Sequence, residues 1–267
     1  ITKNEELLKI EQADIEQKAE HYIINSEDSF EREGIIESGK EIDVLRYTYS
    51  KIIKGDGMEY YAVRAFLLLL SESSDEVYQQ VSQQVMNVIK LESRIILYVT
   101  DTVMENEKVE TLFRNHSLLK DTFETLIKFA YSGAHPFGEY ADCIIALLRY
   151  YKKFHELFEL EEDEIEKNDF KGKFIEALYS NVRLAGKHGW IGYDYKGIEA
   201  IEKHIEALDP EFIYLLLDKY TNIWLNDVLQ SQLSAIIYNS KLSEHEKEKA
   251  AFRFIHKNLF AREIAGK

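Results

Sequence analysis

The chain has 267 residues and a single cysteine, Cys143, so no disulfide can form within it. That absence excludes the disulfide-stapled secreted scaffolds and points to a reducing, cytoplasmic address. Cys143 sits in the apolar run Cys-Ile-Ile-Ala-Leu-Leu, where a thiol behaves as a small hydrophobe. Only two prolines occur, against a usual share of ~5%; proline interrupts helices, so its scarcity suits a helical chain. No apolar run reaches the ~18 residues of a membrane span, and the densest, Ala65 to Leu70, stops at Ser71. The first residues are rich in Glu and Lys and lack an apolar secretory segment, which agrees with the cytoplasmic expectation. Positive charge is also short. Lys and Arg number 33 against 48 Asp and Glu, a formal charge of −15. Nucleic-acid binding rests on neutralising phosphates with Lys and Arg, so the charge opposes it and suits a basic protein partner.

What the chain does contain is helical spacing. Ile42, Leu45, Tyr49, Ile52 and Ile53 follow a 3-4-3 pattern that stops at Gly55-Asp56-Gly57. Met58 to Leu70 is apolar nearly all round and predicts a helix buried on most sides. Ser26 is expected to cap a short helix from Glu27, and Gly34 and Gly39 to bracket a turn. Ser74 is expected to cap the helix from Asp75 to Lys90. Glu92 to Glu105 is rich in β-branched and aromatic residues, yet helical neighbours make a lone strand costly, so helix is predicted there too. One long helix is expected from Glu139 to Leu160, and Ser243 with Glu246 three residues on forms a capping box. The reading is all-α, a multi-helix bundle or irregular α-solenoid of roughly a dozen helices. A boundary between an N-terminal half, 1–134, and a C-terminal half, 135–267, is placed at the turn around His135-Pro136.

Asn181 to Gly197 breaks this regularity. It holds Gly186, Gly189, Gly192 and Gly197 with Trp190, Tyr193 and Tyr195 among them. Glycine allows tight turns, and aromatics set among glycines pin such a loop to a scaffold; Trp190 is expected to be at least partly buried. Arg183 and His188, at the exit of a predicted helix, resemble the motif of HEPN-type helical ribonucleases. That resemblance implies a histidine assisting proton transfer at a ribose hydroxyl and an arginine steadying phosphate. The residue after the arginine, usually polar in those motifs, is Leu184 here, and Gly186 weakens the helix between the pair. His135, Glu139 and Asp142 are the nearest approach to metal ligands, but the paired Glu-x-x-His set of a di-iron bundle is missing. Phosphate loop, Cys-x-x-Cys and serine elbow are absent, so no cofactor or metal is expected. The tyrosines fall mostly on apolar stripes and read as core.

With no chemistry assembled, binding is the favoured class. Glu156, Glu159, Glu161, Glu162, Asp163, Glu164 and Glu166 crowd one short run, which a cationic partner surface would relieve of self-repulsion. The helix-rich N-terminal part resembles the two-domain all-α bacterial immunity proteins that neutralise secreted DNase toxins. So does the amphipathic run Ile198 to Trp224, ending Leu-Leu-Leu-Asp-Lys-Tyr-Thr-Asn-Ile-Trp after Gly192-Tyr193. The resemblance implies a non-enzymatic immunity or antitoxin module that blocks a basic protein; the expected contact residues, the acidic run and Trp190, Tyr193 and Tyr195, come from charge and the glycine loop and not from the resemblance. An active HEPN-like ribonuclease using Arg183 and His188, and an α-solenoid scaffold or peptide sensor, are the alternatives.

Overall fold

The computed structural model describes residues 3–131, 139–160, 172–173, 210, 213 and 237–252. Among them the protein is all-α, with no strand. The elements are α1 (Lys3–Ile24), α2 (Ser29–Glu37), α3 (Glu41–Lys54), α4 (Glu59–Glu72), α5 (Asp75–Lys90), α6 (Ser93–Glu105), α7 (Glu107–Asn115), α8 (Leu118–Tyr131), α9 (Glu139–Arg149) and α10 (Tyr151–Leu160). The chain divides into two compact units, Ile1–Thr125 and Leu126–Lys267.

The first unit is a bundle built on α4. Its residues Ala62, Val63 and Ala65 to Leu70 are all buried, so nearly every face of the helix needs a neighbour. α1, α3, α5, α6 and α7 supply them. Each leucine so enclosed contributes ~1.5–3 kcal/mol relative to exposure. The entry to α4 is set by Gly55, which ends α3 in the left-handed region at φ 65°. The Asp56 carboxylate then accepts from the Met58 N–H. Glu59, buried in the first turn of α4, accepts from the Gly57 N–H at 3.3 Å. At the far end the Ser71 and Ser73 hydroxyls donate back to the carbonyls of Leu68 and Leu69. Tyr22 of α1 is wholly buried, and its hydroxyl donates to the Ala65 carbonyl at 2.9 Å. Burial pushes that phenol far above its ordinary pKa, so it stays a neutral donor.

Several local expectations hold. Ser74 caps α5 by accepting from the Val77 N–H. The β-branched run forms helix α6, with Ile95, Ile96, Val99 and Val103 buried. Asn106, not among the expected caps, also caps α7 through the Val109 N–H at 3.1 Å. Two expectations about α2 fail. Its cap is Asp28, whose carboxylate accepts from the Phe30 N–H at 2.9 Å, not Ser26. Ser26 is instead buried, and its carbonyl receives Arg32 Nη1. Gly34 lies inside α2 rather than at a turn, and only Gly39, at φ 66°, takes the left-handed turn conformation.

In the second unit the helix expected to run unbroken from Glu139 to Leu160 divides at Tyr150. Hydrogen bonds still cross the break, from the Tyr150 N–H to Ala146 and from the Phe154 N–H to Tyr150. Cys143, Leu147, Leu148, Tyr151 and Phe154 are buried there, and the thiol belongs to the core. Residues 244–252 are helical. Their start carries the expected capping box: the Ser243 N–H donates to Glu246 Oε2 at 2.9 Å, and the Glu246 N–H donates to the Ser243 hydroxyl at 3.4 Å.

Candidate partner-binding surface

Where α4 begins, its outward stripe is only partly covered. Tyr60 and Tyr61 are 36% and 48% exposed, while Ala62 and Val63 beside them are buried. Arg64 follows Tyr60 by four residues and Tyr61 by three, so all three share one face. The matching stripe of α6 is Tyr98, Asp101 and Glu105, again at helical spacing. α4 and α6 pack together, and the rings meet across them. Tyr60 lies edge-on to Tyr61 at 5.4 Å between centroids and to Tyr98 at 5.3 Å, at interplanar angles of 79° and 81°. Such T-shaped pairs contribute ~0.5–1.5 kcal/mol beyond area burial and hold each ring in place.

Charge rims these rings. Arg64 Nη2 pairs with Glu27 at 2.9 Å, and Nη1 stands 3.6 Å from Glu105 while donating to the Tyr60 hydroxyl at 3.3 Å. Arg64 Nε is buried and makes no hydrogen bond. Glu27 and Glu105 stay largely in water, with side chains 74% and 55% exposed. One turn before Tyr98, Arg94 lies 3.6 Å from the buried Glu59 and 3.7 Å from Glu92. Among the described residues, Glu27, Glu59, Glu92 and Glu105 outnumber Arg64 and Arg94 around the cluster, so these groups are negative on balance. Two exposed apolar residues flank Glu27 in the chain, Ile24 at 65% and Phe30 at 79%. Aromatics with an arginine at their centre form the composition that dominates protein–protein contact energies.

Of the residues named from sequence, few fall on this surface or anywhere described. Glu156 is exposed on α10, and Glu159 belongs to the same helix. Glu161, Glu162, Asp163, Glu164, Glu166, Arg183, His188, Trp190, Tyr193 and Tyr195 lie outside the described residues, as does His135. Asp142 is exposed on α9. Among the described residues no group of three or more His, Cys, Asp or Glu side chains is placed to hold a metal ion. No described helix is long and apolar enough to cross a membrane.

The expectation that the tyrosines are mainly core needs correcting at this site. Tyr22, Tyr78 and Tyr151 are buried, but Tyr60 and Tyr61 are not. The signal was present in Tyr60, Tyr61 and Arg64, whose spacing separates them from the buried Ala62, Val63, Ala65 and Phe66. Against family models, curated proteins and solved structures, the chain shows no match.

Proposed function

We propose that this chain is a non-enzymatic protein-binding module that blocks a basic protein partner, in the manner of an immunity protein or antitoxin. The observation that carries the reading is the cluster of exposed Tyr60 and Tyr61 with half-buried Tyr98, held edge-to-face and rimmed by Glu27 and Glu105. Rigid tyrosines give large contact area at low entropic cost. The negative rim, on a chain of charge −15, favours a cationic surface. In this reading the run Glu156, Glu159, Glu161, Glu162, Asp163, Glu164 and Glu166 steers the encounter at long range, which raises association rate more than final affinity. Trp190, Tyr193 and Tyr195 remain proposed as further contacts.

Affinity capture at low salt, with the native chain beside a Tyr60→Ala/Tyr61→Ala variant, tests the proposal. A basic protein held by the native chain, lost by the variant and released at high salt is the expected result. Retention by both chains alike, or capture of an acidic protein, contradicts it. Incubation with RNA separates it from catalysis: no cleavage is expected, and cleavage abolished by both Arg183→Ala and His188→Ala would overturn the non-enzymatic reading.

A further inference from the structure

The chain covers several of its tyrosine rings with its own cations. Lys51 Nζ lies 5.4 Å from the Tyr47 ring centre, the Arg149 guanidinium 5.9 Å from Tyr150, and Lys247 Nζ 5.7 Å from Tyr238. Among the described residues, no such cation lies over Tyr60, Tyr61 or Tyr98. The carboxylates beside these rings are lightly used as well. Glu27 and Glu105 stand 2.9 and 3.6 Å from Arg64, and among the described residues neither pairs with a second cation. Exposed aromatic rings next to carboxylates with a single cation partner are the two halves of a guanidinium site. Arginine stacks on aromatic faces and forks onto carboxylates, whereas lysine offers a compact, strongly hydrated charge.

We infer that the α4–α6 surface takes an arginine side chain of its partner, set against the exposed Tyr61 ring beside Tyr60 and paired with Glu27 and Glu105. This deepens the binding reading above and rests on it. The internal pairing of Arg64 with Glu27, Glu105 and the Tyr60 hydroxyl shows that these groups already hold one guanidinium. The partner's arginine adds to a site whose local charge is still negative.

Two synthetic peptides of equal length and charge test the inference by calorimetric titration at low salt, one carrying arginines between Gly and Ser and the other lysines at the same positions. The arginine peptide is expected to bind about two- to fivefold more tightly, the factor for one exposed cation–π contact. Tyr60→Ala/Tyr61→Ala, which leaves the net charge unchanged, should erase that ratio. Tyr61→Ala alone, at a position already half in water, should reduce it without disturbing the fold. Tyr238→Ala, an exposed tyrosine of the other unit, should leave it intact. Glu27→Gln/Glu105→Gln should weaken both peptides. Equal affinity for the two peptides, or a ratio that survives loss of Tyr60 and Tyr61, overturns the arginine site while the basic-partner reading stands. Failure of both peptides to bind at low salt overturns both readings.

Discussion

Two arginines of the first unit make opposite use of the same chemistry. Arg32 on α2 is buried, and every nitrogen of its guanidinium is engaged. Nε and Nη2 fork onto the two oxygens of Glu72 at 2.9 and 3.2 Å, and Nη1 donates to the Ser26 carbonyl. Lys108 of α7 closes on the same carboxylate at 2.7 Å. Arg64 on α4 leaves Nε buried and unpaired, and spreads its other nitrogens over two carboxylates that stand in water. The first arrangement joins α2, α4 and α7, and removing a member leaves a buried charge alone. The second joins groups that water can solvate if the contact breaks. The satisfied cluster holds the fold; the half-satisfied one is where we propose that a partner binds.

The largest effect should come from Glu72. Burial opposes its charge, but hydrogen bonds and charge from Arg32 and Lys108 outweigh that and hold its carboxyl below the ordinary range. Glu72→Ala strands the buried Arg32 and should cost ~3–5 kcal/mol in urea unfolding. Arg32→Met should cost less, ~1.5–3 kcal/mol for a lost charged hydrogen bond, because Lys108 still neutralises Glu72. The pair Arg32→Met/Glu72→Leu should be milder than Glu72→Ala alone, since it strands no buried partner and Lys108 is already largely in water.

Acid should narrow the contrast. A carboxyl whose folded pKa is depressed stabilises fully above its unfolded value of ~4.3. That stabilisation is lost as pH falls from there through the folded value. The stability gap between the native chain and Glu72→Gln should therefore be constant near neutrality and shrink below about pH 4. A gap that widens on acidification would show that another group controls the site.

The smallest effect on stability belongs to Arg64→Ala. Its partners are exposed, and pairs of that kind contribute ~0–1 kcal/mol. Removing it also abolishes a buried unpaired N–H, which offsets part of the loss. Binding should respond the other way. With Glu27 and Glu105 released, the arginine peptide should bind more tightly to Arg64→Ala than to the native chain, and weaker binding would show that Arg64 helps to hold the ligand.

Much of the fold was legible because it is written locally. Gly55-Asp56-Gly57 ends α3 through a left-handed glycine, Ser74 caps α5, and the Ser243–Glu246 box closes as spacing implies. The misreadings occur where tertiary contacts choose between local options. Ser26 and Asp28 can both cap a helix, but the Ser26 carbonyl is taken by Arg32, and the acidic Asp28 stands at the positive helix end. Tyr150 interrupts a stripe whose periodicity continues across it. The tyrosine cluster was hidden for a related reason. Periodicity shows that Tyr60, Tyr61 and Arg64 share a face, but not that the neighbouring helices leave that face open. It also says nothing of Tyr98 meeting Tyr60 from another helix. The acidic run and the glycine loop, the most conspicuous features of the sequence, remain proposals resting on composition and resemblance.

The contrast between the two arginines is tested most directly by urea unfolding of Arg32→Ala and Arg64→Ala side by side, with the arginine peptide titrated onto each folded variant. A clear fall in the unfolding midpoint for Arg32→Ala, with native-like peptide affinity, is expected alongside an almost unmoved midpoint and altered affinity for Arg64→Ala. Equal loss of stability in the two, or a change of affinity confined to Arg32→Ala, would contradict the division between a cluster that holds the fold and one that meets the partner.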